Sequence, residues 1–443
     1  MITDMTVGKP NKILWKFSIP MLISVMFQQM YNIADGMIAG KFAGEDALAS
    51  VGASYPITMI FMAIAIGCNI GCSVIISNLF GAKDYKNMKT AVSTTFFTCL
   101  GLSTILTILG LVFCVPMMKA INTPNNIFGG SLLYLQIYIA GLIFLFFYNV
   151  CTGIFTALGD SKTPLYLLIG SSVGNVILDL IFVIQFKMGV AGVAIATLVA
   201  QGISSILAMI TLRRRVTSIK CEEKYKVFSL SMLRKISIVA IPSILQQSFI
   251  SIGNIFIQSI VNGFGSAVIA GYSSAIKLNT FSITSITTLA SGLSNFTAQN
   301  MGAKKVERVY EGFKSAMLLV ICVVVPFFIA FFIFSNQMIS MFMDDSSIEA
   351  LNVGVSFLKI VSPFYIVIAV KIMSDGVLRG AGSMKQFMIS TFLDLILRVV
   401  LAFVLSGYFG TNGIWMSWPI GWTTSAIVSF LFYKNNGWAK KLE

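Results

Sequence analysis

Twelve apolar runs follow one another along the chain, and each is long enough to cross a bilayer as a helix. Glycine, proline, asparagine or charged residues separate the runs. Hydrophobic residues make up 56% of the 443 and charged residues only 11%, which is far outside the range of soluble proteins. The sequence therefore predicts an all-α polytopic membrane protein with twelve transmembrane helices, near 13–40, 48–79, 90–118, 130–158, 163–186, 189–212, 236–261, 267–300, 315–340, 352–378, 386–407 and 412–433.

Lysine and arginine are distributed unevenly between the two sides of these spans. With the N-terminus inside, 24 of the 31 basic residues fall in cytoplasmic loops or termini, four fall outside and three lie within spans. This bias predicts that both termini are cytoplasmic. The same bias explains the net charge of +14 as an excess of basic residues in cytoplasmic loops. We therefore do not expect nucleic acid as a partner. The first twelve residues lack the pattern of a signal peptide, so we expect the first span to be retained.

The chain repeats itself with an offset near 221 residues. Gly81-Ala82-Lys83 corresponds to Gly302-Ala303-Lys304, and the turn from Gly159 to Lys162 corresponds to that from Gly382 to Lys385. Because six is an even number of spans, both halves begin on the same side of the membrane, which predicts a parallel repeat of two six-helix bundles. We expect lobes at 1–212 and 236–443, joined by a basic cytoplasmic linker at 213–235 that is typical of a solvated loop touching anionic lipid.

Charged residues inside the spans distinguish the two halves. The first half has only Asp35 and Asp179, with no lysine or arginine at comparable depth. Two carboxylates in a low-dielectric bundle must bind a cation or take up protons. The second half has five charges that can largely compensate one another, with two pairs at the i, i+4 spacing of helix ion pairs: Lys277, Lys371, Asp375, Asp394 and Arg398.

Helix rise places several polar residues of the first half at a similar depth. Asp35, Asp179 and Thr197 lie about 9, 12 and 15 Å below the outer end of their spans. Asn175 shares the face of Asp179, and Asn149 lies about 16 Å above the inner end of the fourth span. Oxygen ligands without sulfur or imidazole suit Na⁺ or a proton. Taken singly, Asn149, Asn175 and Thr197 are as typical of hydrogen bonds between packed spans.

The sequence lacks the residues that several kinds of enzymatic catalysis and metal binding require. The chain has no histidine, and its seven cysteines are scattered without the spacing of a metal site. An intramembrane enzyme would need a base, a metal ligand set or a nucleophile with its partner. We therefore expect no enzymatic activity and no cofactor besides a coupling ion.

Several short motifs stand at set places in the chain: an Ile-Pro and a Gln-Gln pair early in spans one and seven, the two Gly-Ala-Lys loops, and Gly-Asp-Ser-Lys-Thr-Pro at 159–164. With these motifs the chain resembles the multidrug and toxic compound extrusion (MATE) transporters. The resemblance covers essentially the whole chain. It implies two lobes in a V that opens alternately inward and outward, and export of amphipathic, often cationic, compounds in exchange for Na⁺ or H⁺ across a bacterial plasma membrane.

The resemblance also implies site residues. In the branch of the family whose ion site lies in the first lobe, the matching positions here are Asp35, Asn149, Asn175, Asp179 and Thr197. Pro20 matches the proline at which the first helix bends. The other branch uses a glutamate on span seven and an aspartate on span ten; Asp375 remains here, but 236–265 has no acidic residue.

A mechanism follows as a hypothesis. An ion or proton arriving at Asp35 and Asp179 would neutralise the lobe, change the favoured packing of span one near Pro20, and discharge the cavity that held cationic cargo. We expect a monomer whose partners are the lipid bilayer and small amphipathic or cationic organic substrates. The candidate cargo contacts are Gln28, Met30, Tyr31 and Phe61.

Two other kinds of membrane protein remain open from the residues alone. A flippase of lipid-linked oligosaccharides from the same superfamily would also have repeated bundles, but should need a more basic central cavity for pyrophosphate. A channel would need a pore lined by polar rings, and single-channel currents would reveal it.

Overall fold

The computed structural model describes residues 2–38, 42, 45–342 and 348–439, and of residues 33–37, 45, 46 and 48 it describes the backbone only. Within these ranges every regular element is a helix. The helices of the first half are Pro10–Ile38 (α1), Glu45–Gly81 (α2), Tyr85–Ala120 (α3), Asn125–Ala140 (α4), Leu142–Ala157 (α5), Lys162–Leu180 (α6, continued by a π-helical turn at Ile181–Gln185) and Gly189–Ser218 (α7).

The second half follows the same order. Its helices are Leu230–Asn262 (α8), Ser266–Gly302 (α9), Val306–Ile333 (α10), Ser335–Ser340 (α11), Ile348–Val361 (α12), Tyr365–Gly380 (α13, joined to α12 by a 3₁₀ turn at Ser362–Phe364), Met384–Phe409 (α14) and Thr411–Lys434 (α15).

Nine of the described spans are long and apolar enough to cross a membrane, and α4 with α5 makes a tenth, bent by 50° between the two helices. The predicted spans 130–158 and 352–378 are thus each built from two helices. In the second of these, Pro363 interrupts the helix because proline has no N–H to donate. Helices α9 and α15 complete the set of twelve. Helix α9 is less apolar because it contains many serine, threonine and asparagine residues, several of which are buried.

The predicted repeat is visible in the turns that end matching helices. Helices α2 and α9 both have 37 residues, and the next turn places Lys83 and Lys304 at left-handed φ values of 59° and 58°. In each turn the N–H of the following residue donates to a carbonyl five residues back, Leu79 at 3.0 Å and Asn300 at 2.8 Å. These are two Schellman turns at equivalent positions.

A second pair of turns repeats in the same way. Gly159 and Gly382 have φ values of 73° and 71°, a conformation that glycine adopts without the steric penalty of a Cβ. A side chain on Gly159 would also meet the carbonyl oxygen of Thr3 at 2.2 Å. The Gly-Asp-Ser-Lys and Gly-Ser-Met-Lys sequences are therefore matched by matching backbone structure.

By its internal contacts the chain divides into two compact units. The first unit comprises Met1–Asp4 and Ile19–Gln247, and the second comprises Met5–Ser18 and Ser248–Glu443. The division falls within α1, next to Pro20, and within α8. The lobe limits at 1–212 and 236–443 stay predictions.

The basic linker belongs to the first unit and is held along the start of α3. The N–H of Lys226 donates to Oγ1 of Thr90 at 3.2 Å, and the N–H of Ser229 donates to Oγ1 of Thr94 at 3.1 Å. Backbone donors of this loop are therefore satisfied by threonine hydroxyls on a helix.

Close helix packing in the first unit depends on two glycines of α2. A Cβ on Gly67 would lie 2.2 Å from Cγ1 of Ile244 and 2.7 Å from its backbone nitrogen, and one on Gly71 would lie 2.5 Å from Cβ of Ala240. Helix α8 therefore approaches α2 at a distance that only glycine allows.

Candidate cation site in the first unit

A hydrogen bond from α1 to α6 brings two of the predicted residues together. Oη of Tyr31 donates to Oδ1 of Asn175 at 2.5 Å. Asn175 is buried, with 2% of its surface exposed, while Tyr31 is half-buried. Nδ2 of Asn175 has no hydrogen-bond partner among the described residues. The amide oxygen thus accepts a hydrogen bond, while the amide NH₂ group has no acceptor among the described residues. Most buried polar groups have a partner, so this amide is a candidate for a functional role.

Asp179 lies one turn after Asn175 on the same helical face. Its side chain is fully buried, at 0% exposure. The π-helical turn Ile181–Gln185 begins two residues later, where the N–H of Phe186 donates to the carbonyl of Ile181 at 3.1 Å. Such turns are frequent at functional sites. The apolar sequence of this segment carries no signal for the turn.

Asn149 and Thr197 both hydrogen-bond within their own helices. Nδ2 of Asn149 donates to the carbonyl of Leu145 at 2.9 Å, and Oγ1 of Thr197 donates to the carbonyl of Val193 at 3.0 Å. Both side chains are half-buried. Each retains an oxygen that can accept a hydrogen bond or face a cation.

A small cavity lies beside Thr197. Its volume is about 20 Å³, and it is lined by residues of α4, α5 and α7, among them Tyr138, Leu145, Thr197 and Gln201. This is room for about one water molecule. Leu145, whose carbonyl accepts the hydrogen bond from Asn149, is part of the same lining.

Two of the predicted residues, Asp35 and Pro20, lie on α1. The side chain of Asp35 lies outside the described residues, so its predicted role stays a prediction. Pro20 lies within α1, which continues as one helix from Pro10 to Ile38, and Oγ of Ser24 donates to the carbonyl of Pro20 at 2.9 Å. The predicted bend at Pro20 also stays a prediction.

The predicted cargo contacts occupy different environments. Gln28 and Met30 are exposed, Met30 at 67%. Phe61 is 6% exposed and packs in a hydrophobic cluster with Leu135 and Phe146. The structure places the Phe61 ring in the core of the first unit, not on an accessible surface.

The first predicted ion pair of the second unit is present. Nζ of Lys371 lies 2.7 Å from Oδ2 of Asp375, and both residues are buried. Oδ1 of Asp375 accepts hydrogen bonds from Oγ of Ser390 at 2.8 Å and Oγ of Ser429 at 2.5 Å. The two serines are 15 and 54 residues away in sequence, and nothing in the local pattern could have identified them.

The second predicted ion pair is wrong. Among the ion pairs of the described residues, none joins Asp394 to Arg398 within 4.0 Å. The guanidinium of Arg398 instead lies over the ring of Trp418, 4.6 Å from its centroid, which is a cation–π contact. Lys277 is exposed and lies 5.8 Å from the ring centroid of Phe342. Spacing alone does not form a pair when an aromatic ring competes for the cation.

Comparisons with known proteins agree with this architecture. The MatE family model matches residues 20–181 and again 242–404, which confirms the predicted internal repeat. A relative is the probable multidrug resistance protein YpnP of Bacillus subtilis, 27% identical over 98% of this chain and 97% of that protein. The multidrug export protein MepA of Staphylococcus saprophyticus is 22% identical over 94% of this chain and 91% of that protein.

Solved structures give the same result. The outward-facing structure of a multidrug resistance MATE family transporter of the MOP superfamily superimposes with a TM-score of 0.91, at 25% identity over 99% of this chain and 98% of that one. The prediction of twelve transmembrane helices in two repeated bundles is confirmed. MATE proteins are transporters, so this chain is a transporter and not an enzyme. The MatE family model matches this chain twice, and the two matches together cover most of the chain. The chain therefore belongs to the MatE family.

Proposed function

We propose that the chain is a secondary active exporter of amphipathic cationic compounds, driven by entry of Na⁺ or H⁺ into the first unit. The relatives compared above are named as multidrug resistance and export proteins, and the chain matches them over nearly their whole length. We place it in a bacterial plasma membrane with both termini in the cytoplasm, since its basic residues collect in alternate loops.

The fully buried carboxylate of Asp179 is the observation that carries this proposal. An ionised carboxylate at membrane depth is unfavourable by about 2.5–3.5 kcal/mol on insertion scales, so such residues usually mark an ion pathway. The two spans concerned, residues 17–40 and 163–186, contain no lysine or arginine. We propose that a mobile cation or proton is exchanged at this carboxylate, because buried acidic residues in membrane spans are typical of ion pathways.

The neighbouring side chains suit that role. Tyr31 fixes the Asn175 amide, and Asn175 lies on the same helical face as Asp179. Oxygen ligands of this type prefer hard cations. The hydrogen bond between Tyr31 and Asn175 also ties α1 to α6, so a change at Asp179 can be transmitted to α1.

Coupling requires the ion to discriminate between conformations. An ion that bound every conformation equally would not change the populations of the conformations, however tightly it bound. We propose that ion binding at Asp179 favours the packing of α1 in which cationic cargo is released. Cargo and ion then compete through charge, because each relieves the same negative potential.

Transport driven by separately imposed gradients tests this function. Purified protein in liposomes loaded with a fluorescent organic cation would be given a Na⁺ gradient at equal pH, or a pH gradient at equal Na⁺. We expect one of the two gradients to drive cargo movement above that of protein-free liposomes. Cargo movement that responds to neither gradient would refute ion-coupled export.

A further inference from the structure

We infer that Lys371 is a tethered cation which occupies a carboxylate site in the second unit, so that this unit takes up no exchangeable ion. The inference deepens the proposed function, on which it rests, by confining ion coupling to the first unit.

The site joins three helices. Asp375 lies on α13, and Lys371 lies one turn before it on the same helix. Ser390 on α14 and Ser429 on α15 both donate to the carboxylate, at 2.8 and 2.5 Å. The exposures of Lys371 and Asp375 are 4% and 5%, and those of the two serines are 0%. The ligands of the carboxylate therefore come from α13, α14 and α15.

Without the ammonium group, this would be an oxygen site for a small cation. One carboxylate supplies a full negative charge, and two hydroxyl groups can turn lone pairs toward a metal ion. Such ligands suit a hard cation such as Na⁺. The Lys371 ammonium lies 2.7 Å from Oδ2 and provides the positive charge that the ion would bring. Because the ammonium is attached to the backbone, it cannot leave across the membrane.

The other cation nearby is directed elsewhere. Arg379 lies one turn after Asp375, and its Nε and Nη2 donate to the hydroxyls of Ser294 and Ser291 at 3.4 and 3.5 Å. Its guanidinium carbon lies 5.8 Å from the ring centroid of Phe387. Lys371 is thus the cation in direct contact with Asp375.

A purely structural ion pair would make a different prediction. Replacing a buried pair by apolar groups often leaves stability unchanged, whereas removing one partner leaves an uncompensated charge. If Lys371 stands in for an ion, the protein that lacks it should recover stability when Na⁺ is supplied. If the pair only cross-links helices, Na⁺ should make no difference.

The experiment measures melting temperature in Na⁺ against choline, in an Asp179→Asn background that disables the proposed first-unit site. We expect Asp179→Asn alone to show no dependence on Na⁺. Adding Lys371→Met, which keeps an unbranched apolar stem, should produce a rise of about 2–4 °C in Na⁺. Adding Asp375→Asn as well should abolish that rise.

Two results would overturn the inference. One is a Lys371→Met protein whose melting temperature does not respond to Na⁺, or responds only to acidification. The other result does not require the Lys371→Met variant to fold. If the melting temperature of the Asp179→Asn protein rises in Na⁺, and the rise is lost when Asp375→Asn is added, the second unit with Lys371 in place already binds ions. Wild-type protein with no ion-driven transport would refute the proposed function instead, so the two failures are distinguishable.

Discussion

Oη of Tyr31 and Oδ1 of Asn175 are 2.5 Å apart, although 144 residues separate them in sequence. This hydrogen bond connects the part of α1 that follows Pro20 with the helix that carries Asp179. In the proposed mechanism it is the physical link between ion binding and the packing of α1.

Replacing Tyr31 by phenylalanine removes the hydroxyl that donates to Asn175 and keeps the aromatic ring. A hydrogen bond of this kind contributes about 1 kcal/mol, so we expect the ion concentration for half-maximal efflux to rise about fivefold. Efflux assays over a range of ion concentrations would measure this. Tyr166→Phe is the matched control, since Tyr166 is an exposed tyrosine on the same helix as Asn175. Equal ion dependence in Tyr31→Phe and the control would contradict the proposed link.

Substitution of Gly67 tests the close packing of α2 on α8. An alanine there would overlap Ile244, including its backbone, so we expect the free energy of unfolding to fall by about 1–3 kcal/mol. Gly52→Ala on the same helix is the control, because nothing lies within 4 Å of the added Cβ. Alanine is the better helix former, so the control should be as stable as the wild type. Thermal unfolding would measure the stability of both variants. A Gly67→Ala protein as stable as the Gly52→Ala control would contradict the prediction, because it would show that α2 and α8 can move apart without losing stability.

The orientation of the chain can be tested through Cys221 in the basic linker. We expect a membrane-impermeant maleimide to label Cys221 in inside-out vesicles and not in right-side-out vesicles. In a Cys221→Ser background, Lys119→Cys at the end of α3 should show the opposite pattern. Mass spectrometry of the labelled peptides would identify each site. Labelling of Cys221 from the outside would reverse the proposed topology.

The fold was predictable because its signals are local. The spans are continuous apolar runs, and the repeat appears in short turn motifs such as the two Gly-Ala-Lys sequences. The Lys371 to Asp375 pair has the same local character, since four residues on a helix place side chains together. The break within span four was not predictable, because the apolar run continues through Gly141.

The candidate site was predictable only in part. Residue type and depth selected Asn175 and Asp179 as candidates, but the contact of Asn175 with Tyr31 depends on how distant helices pack. The same limit applies to Phe61, whose ring is buried in the core, and to Ser390 and Ser429, which approach Asp375 from other helices. The Asp394 to Arg398 pair fails for a related reason, since Trp418, from another helix, provides a competing partner.

The most direct test of the central claim is the initial rate of ion-driven cargo transport by Asp179→Asn protein in liposomes. This change keeps the shape of the side chain and removes its charge. We predict that the variant is folded but transports no faster under an imposed Na⁺ or H⁺ gradient than without one. Asp394→Asn, the same change at a buried carboxylate of the second unit, should keep its response to the gradient. Ion-driven transport by Asp179→Asn at the wild-type rate would contradict the account.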